Sequence, residues 1–576
     1  MSYVERYHEW LENPYFNNGV KEELHQIRDD EAEIEERFYK ELEFGTGGMR
    51  GVLGAGTNRM NIYTIRKATQ GLANVIKQEG GQAKGVVIAY DSRRYSTEFA
   101  LETAKCLVAN GIKTYLFTTL RPTPLLSFAV RELKCIAGVV ITASHNPAQY
   151  NGYKVYWEDG AQITPPQDKA IIQAVNAIVD YKEPLTTEAD KAVKSGRLCY
   201  LGEEVDKRYY QHLKKEVQQK ELLVRSGKDL KIVYTPLHGA GMRPVTQILE
   251  ELGFTNVHVV AEQTQPDGAF PTVASPNPEN ESAFHLALAL AKEVDADLVL
   301  ATDPDADRLG AYVKGNVTGN DKGDDKGDDA KTYIALTGNM SAALILAYLL
   351  EQRKEKGTAP SNGALVTTIV SGRLGKAIAK DYGLEIFETL TGFKYIGQKI
   401  REFEESGTYR YQFGYEESYG CLVGTYARDK DAVSAAAMLC EAALYYKKQG
   451  SSLAKQLQGL FQKYGYYYED LGTALLTGKE GVVKIESIMA KIRKQPPVVI
   501  AGKKVQRVFD YQQCEKTGLP KSNVLYFELE NDSWCCVRPS GTEPKIKFYI
   551  GVKGTSEENA KEQGQELLQT VMTWVK

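Results

Sequence analysis

The chain has 576 residues, 43% hydrophobic and 25% charged, with a formal charge of −4. That is an ordinary globular composition, and it excludes a generic nucleic-acid or membrane-surface binder, since both need a basic face. No apolar run reaches the roughly 18 residues of a membrane span and no signal peptide is evident, while the eight cysteines are scattered without a C-x-x-C pair; free thiols in a reducing cytoplasm are expected.

At roughly 100–200 residues per domain, three to five domains are expected. Glu31–Glu43 is rich in helix formers, and glycine turns follow at Gly45-Thr-Gly-Gly-Met-Arg-Gly51. Short β-branched runs then alternate with longer amphipathic ones. Val86–Tyr90, Lys113–Phe117 and Ala137–Thr142 predict strands; Thr97–Asn110 and Pro166–Val179 predict helices. The alternation implies βαβ units around a largely buried sheet. Similar strand starts recur at Gly85, Lys231 and Ala364, which fits a weak threefold repeat of one α/β domain. The run Gly319–Asp329 repeats Asp and Lys without the spacing of a calcium loop, and reads as a solvated surface turn. Further on, Val524–Leu529, Trp534–Val537 and Ile546–Val552 read as antiparallel strands, closed by an amphipathic helix at Ser556–Val575. Cys535 and Cys536 then point to opposite strand faces. The expected fold class is α/β: three similar mixed α/β sandwich domains, 1–208, 209–325 and 326–450, plus a smaller C-terminal α+β domain, 451–576, around a central cleft.

Charged strings follow buried strands at several points. Asp303, Asp305 and Asp307 follow the apolar run Asp297–Thr302. In extended backbone alternate residues face one way, so three carboxylates converge. They repel unless a cation sits between them, and oxygen-only ligands favour Mg²⁺. Ser144 follows Ala137–Thr142 in the turn Thr142-Ala-Ser-His-Asn-Pro147. Its hydroxyl needs a base or a metal. His145 is the immediate neighbour and cannot easily turn back to be that base, so a magnesium-bound phosphoserine is the more economical reading. Arg308, Lys154 and Arg50 are the cations available to offset its charge. Arg538, Ser540, Gly541 and Thr542 form a turn suited to a phosphate, with Lys545 and Lys547 adding charge. Glu416 and Ser418, in Gly414-Tyr-Glu-Glu-Ser-Tyr-Gly420, are two apart and suit sugar hydroxyls.

With these four motifs in order along nearly the whole chain, the sequence resembles the α-D-phosphohexomutase family, most closely its branch of long phosphoglucomutases related to phosphopentomutase. The resemblance implies that Ser144 carries the phosphoryl group and that Asp303, Asp305 and Asp307 hold Mg²⁺ with a phosphoserine oxygen as a further ligand. It implies that Arg50 lines the active centre, that Lys154 and Arg308 stabilise the transferring phosphoryl, and that Lys430 matches a general acid/base; Lys430 or Lys154 could remove the attacking hydroxyl's proton if its pKa were depressed by neighbouring cations. Glu416 and Ser418 would hold sugar hydroxyls, Thr391 and Gly392 would orient the sugar, and Arg538, Ser540, Gly541, Thr542 and Lys547 would bind the second phosphate. Lys547 stands where many relatives carry arginine, and 319–329 has no counterpart. The implied activity is reversible conversion of glucose 1-phosphate and glucose 6-phosphate, with glucose 1,6-bisphosphate as activator, by a monomer or weak dimer with no nucleic-acid or membrane partner. Rival readings are a mutase of the same family for mannose or pentose phosphates, a metal-dependent serine phosphatase, and a sugar-phosphate sensor. The phosphatase chemistry wants clustered histidines, and the seven here show no such grouping.

Overall fold

The computed structural model describes residues 1–315, 333–476, 478–540 and 545–575. The acidic run 319–329 and two expected phosphate ligands, Gly541 and Thr542, therefore lie outside the described residues.

Three sheets repeat one pattern. In the first, Val86–Tyr90 pairs in parallel with Ala137–Ile141 on one side and Thr114–Phe117 on the other, and Tyr150–Trp157 runs antiparallel along Ala137–Ile141. In the second, Ile232–Thr235 lies between Leu298–Thr302 and Val257–Val259, with Leu309–Lys314 antiparallel to Leu298–Thr302. In the third, Gly363–Thr368 lies between Arg410–Glu416 and Glu385–Thr389, with Gly420–Leu422 antiparallel to Arg410–Glu416. The three central strands are those whose starts resemble one another in the sequence. All residues of Val86–Tyr90 and of Ile232–Thr235 are buried, which is why these runs are continuously apolar and not alternating.

The fourth sheet is six-stranded and antiparallel throughout, with Lys545–Gly554 between Tyr466–Leu475 and Trp534–Pro539. The helices Gly478–Lys494 and Glu557–Met572 cover one face, where Cys535 is buried with Ile488 and Leu567. Cys536 is buried on the other face with Tyr526 and Trp534. All eight cysteines are free.

The sheets change at other points than the expected domain limits. Tyr333–Leu336 pairs with Leu309–Lys314, so the second sheet continues past 325. The helix Leu453–Tyr464 buries Leu453, Leu457 and Phe461 against the third layer, and the fourth sheet begins after it. Gly450, with φ 74°, makes a helix–helix turn inside one layer. Among the described residues no helix is long and apolar enough to cross a membrane.

Candidate active site

The repeat places three functional loops at one topological position. Each follows the parallel strand next to the centre and precedes its antiparallel neighbour. Ser144 lies between Ala137–Ile141 and Tyr150–Trp157, Asp303–Asp307 between Leu298–Thr302 and Leu309–Lys314, and Glu417–Tyr419 between Arg410–Glu416 and Gly420–Leu422. The carboxyl ends of parallel strands are where ligands gather in open α/β sheets.

Ser144 sits at φ 52°, a left-handed conformation that few non-glycine residues adopt. Its N–H donates to Thr142 Oγ1 at 2.8 Å, and its hydroxyl donates to Asp303 Oδ2 at 2.7 Å. The same turn brings His145 Nδ1 to 3.1 Å from Ser144 Oγ. This corrects the expectation that an adjacent histidine cannot reach: positive φ folds the neighbouring side chains together. Burial, with Arg308 and Arg50 nearby, holds the His145 pKa well below the usual imidazole range, so the ring is a neutral acceptor or donor.

The aspartates converge, though not through extended backbone. Residues 303–307 form a turn closed by Ala306 N–H to Asp303 O at 2.9 Å, with Ala306 at φ 48°. The N–H groups of Asp307 and Arg308 both donate to Asp303 Oδ1 at 3.1 Å. One oxygen from each of the three carboxylates lies within 4.8 Å of the others, and all three residues are buried. Burial and the other two carboxylates push Asp303 well above the normal range. Asp305 is held low because Lys154 and the hydrogen bond with Asp303 outweigh its burial. The Oδ1 atoms of Asp305 and Asp307 are buried without a hydrogen-bond partner. Three buried oxygen donors, two of them unsatisfied, fit a hard divalent cation.

Cations surround this nest. Lys154 Nζ is 2.8 Å from Asp305 and 3.7 Å from Asp307, and Lys430 Nζ is 2.7 Å from Asp307. Burial lowers the Lys430 pKa, but Asp307, Asp429 and Glu416 more than reverse it. The expectation of a base depressed by neighbouring cations is thereby corrected: carboxylates dominate its surroundings and keep it an ammonium. Arg308 pairs with Glu279, and Arg50 donates to Asn146 Oδ1 at 2.9 Å.

These groups open on a cleft of about 850 Å³ walled by all four domains. Arg50, His145, Arg308 and Lys430 line it. Thr391, Gly392, Glu416 and Ser418 of the third domain and Arg538, Ser540 and Lys547 of the fourth line it too. Glu416 Oε1 accepts from Gly392 N–H at 2.9 Å, joining the two expected sugar loops. The φ of 117° at Gly392 is open to glycine alone. Burial pushes the Glu416 carboxyl up to about 7. Arg538 lies directly opposite Lys547 on adjacent strands, and burial with Arg538 lowers the Lys547 pKa.

Sequence reading missed Asp91 and Arg93. The Arg93 guanidinium donates to the carbonyls of Ser144 at 2.5 Å, Pro147 at 2.9 Å and Tyr150 at 3.0 Å, and also to that of Asn146. Asp91 accepts from Thr142 Oγ1 at 2.6 Å and Ser96 Oγ at 2.8 Å. Their signal was present: a charged string directly follows the buried strand Val86–Tyr90. Ser275, whose hydroxyl donates to His145 O at 2.9 Å, and Thr123, whose hydroxyl donates to Asp305 Oδ2 at 2.8 Å, carried none.

Four family models, described as phosphoglucomutase/phosphomannomutase alpha/beta/alpha domains I, II and III and C-terminal domain, match residues 41–182, 207–316, 337–464 and 485–569. The chain is 37% identical over 528 residues to a phosphoglucomutase of Staphylococcus haemolyticus, covering 90% of this chain and 91% of that protein. It is 37% identical over 563 residues to a phosphoglucomutase of Staphylococcus epidermidis, covering 94% and 95%. Among solved structures, a putative phosphomannomutase of Thermus thermophilus aligns with a TM-score of 0.69 at 22% identity, over 93% of this chain and 99% of that one. The phosphoglucomutase pp63/parafusin of Paramecium aligns with a TM-score of 0.66 at 18% identity, over 93% and 94%. These two similarities concern the fold.

Proposed function

Because the chain belongs to the α-D-phosphohexomutase family, we propose that it is a phosphoglucomutase, an isomerase that interconverts glucose 1-phosphate and glucose 6-phosphate through a phosphoserine. The observation that carries this reading is the 2.7 Å bond from the Ser144 hydroxyl to one carboxylate of a buried aspartate triplet.

Phosphorylated Ser144 gives its phosphoryl to the free hydroxyl of the sugar phosphate, making glucose 1,6-bisphosphate. That intermediate turns over in the cleft, and the serine then takes the other phosphoryl. On retaking it, the Ser144 hydroxyl loses its proton to Asp303 Oδ2 or His145 Nδ1, the two acceptors within reach. Lys154 and Arg308 face the charge of the transferring group. Lys430 Nζ, as the ammonium, protonates the sugar oxygen when it leaves, and the amine so formed takes the proton of the sugar hydroxyl when it attacks, while the departing Ser144 oxygen regains its proton from Asp303 or His145. Asp303, Asp305 and Asp307 would hold Mg²⁺, which would supply charge neutralisation at the transferring phosphoryl.

Two poses of one sugar require grips that serve both. Glu416 and Ser418 hold hydroxyls near the ring's middle, while Arg538, Ser540, Gly541, Thr542 and Lys547 take whichever phosphate is not reacting. The fourth domain closes over that phosphate and excludes water, which would otherwise hydrolyse the phosphoserine. Glucose 1,6-bisphosphate primes the serine, and the enzyme works in the cytoplasm as a monomer or weak dimer.

A coupled assay over glucose, mannose, ribose and deoxyribose 1-phosphates, with and without glucose 1,6-bisphosphate, tests this. Glucose 1-phosphate is expected to turn over fastest and only when primed. Preference for a pentose or mannose phosphate overturns the substrate, and hydrolysis without isomerisation overturns the reaction.

A further inference from the structure

We propose that a second pocket, between the third and fourth domains and outside the catalytic cleft, binds a nucleoside phosphate and thereby lowers turnover. The pocket encloses about 660 Å³, enough for a small ligand. Its two walls differ in chemistry. The third domain presents one face of the helix Arg373–Asp381, with Arg373, Lys376 and Lys380 at i, i+3 and i+7. That places three cations along about 10 Å of helix. The fourth domain presents rings, Tyr467, Phe509, Tyr511 and Tyr526, together with Lys516.

A row of cations facing a set of rings suits a ligand with phosphates at one end and a planar base at the other. The remaining polar groups fit the sugar between them, since Glu388 and Glu528 also line the pocket and accept from hydroxyls. The cations are held ready at low cost. Arg373 pairs with Asp532 at 2.6 Å and Lys376 pairs with Glu388, but both carboxylates are nearly half exposed. Such pairs are weak and give way to a phosphate, which bonds these cations more strongly.

The pocket touches the cleft through shared parts. Tyr526 stacks on Trp534 with centroids 5.4 Å apart and planes 12° apart, and Trp534 lines the catalytic cleft. Tyr467 and Glu469 lie on one strand, the first in the pocket and the second in the cleft. Glu469 also accepts from the backbone N–H of Arg373, the first residue of the cationic helix. A ligand gripping both walls fixes the fourth domain against the third. Movement of that domain is what the reorienting sugar phosphate needs, so occupancy lowers kcat and leaves KM unchanged.

Calorimetric titration with ADP in excess Mg²⁺ reads binding without reference to the mutase reaction, so its outcome is separable from that of the functional reading above. Saturable binding is expected, weakened about tenfold or more by the double substitution Lys380→Glu with Lys516→Glu. Both side chains are exposed, and the variant's turnover without ADP is expected to be normal. Tripolyphosphate, which lacks the ring, is expected to bind about tenfold more weakly than ADP. Absence of ADP binding overturns the proposal. So does binding that glucose 1-phosphate displaces and the double variant leaves unchanged, which puts ADP in the catalytic cleft. ADP that binds at the pocket without lowering kcat overturns the link to turnover.

Discussion

Arg93 and Ser144 are joined by a bond of 2.5 Å from the guanidinium to the serine carbonyl, and the same guanidinium holds the carbonyls of Asn146, Pro147 and Tyr150. One buried side chain therefore sets the path of the whole nucleophile loop. The loop needs that support because Ser144 is in a left-handed conformation, which costs on the order of 1 kcal/mol or more unless its surroundings enforce it. From the second domain, Phe270 lies with its ring centroid 5.0 Å from the Arg93 guanidinium carbon, so the loop is clamped from both sides. Arg93→Lys keeps the charge but replaces a planar fork by a point donor. It is expected to lower kcat about 100-fold with little change in KM, because the phosphate and sugar grips lie elsewhere. Steady-state kinetics with mass spectrometry of Ser144 phosphorylation checks this; a variant with normal kcat shows that the loop holds its shape without Arg93.

Ser144→Ala removes the phosphoryl carrier and one hydrogen bond to Asp303. Turnover is expected to fall to background, with loss of the phosphopeptide mass and a change in stability of about 1 kcal/mol. Near-normal isomerisation by this variant is incompatible with a phosphoserine intermediate.

The aspartate triplet also makes a prediction that does not depend on activity. Three buried carboxylates share one turn, and two of their oxygens accept no hydrogen bond. Mg²⁺ added to EDTA-treated protein is therefore expected to raise Tm, approaching about 2.7 kcal/mol of stabilisation at a hundredfold excess over Kd, and to restore turnover. Asp305→Asn is expected to lose most of both responses. Metal-free protein whose Tm ignores Mg²⁺, or which keeps its rate, removes the triplet as a metal site.

The sequence exposed those parts of fold and site that are local. Continuous apolar runs such as Val86–Tyr90 mark strands buried on both faces, and charged strings at their ends mark ligand loops; Ser144 and Asp303 were found by that signal, and Glu416 by its spacing from Ser418. What it could not carry was placement between domains. That Ser144 meets Asp303 across 159 positions is set by packing of whole layers. The environment of Lys430 depends on Asp307 and Glu416, which arrive from other loops to join its chain neighbour Asp429, so the balance of charge around it was not legible from the chain alone. The limit expected at 450 falls on a turn between two helices of one layer, and a turn that ends a helix reads alike inside a layer and between layers. Thr123 and Ser275 were illegible because a lone hydroxyl has no signature until something faces it.

Glu441 gives a pH dependence of stability separate from catalysis. It is fully buried on the helix Ala432–Lys448 and accepts from the N–H groups of Gln218, at 2.8 Å, and Gln219, tying the start of the helix Lys220–Ser226 to the third layer. Burial pushes its carboxyl up from 4.5 to about 7, against the opposing pull of those hydrogen bonds. The folded state therefore holds this proton more tightly than the unfolded chain does. Its contribution is fully present below about pH 4.5 and is lost as pH rises through about 7. The shift corresponds to on the order of 3 kcal/mol. Glu441→Gln keeps an acceptor for both N–H groups and cannot ionise, and its amide can donate to the neighbouring Tyr348 hydroxyl. The variant is expected to match the parent protein in stability at pH 5 and to exceed it at pH 8, with turnover unaltered. Denaturant titrations at the two pH values measure the difference, and a parent protein whose stability relative to the variant is the same at both shows that Glu441 is ionised throughout.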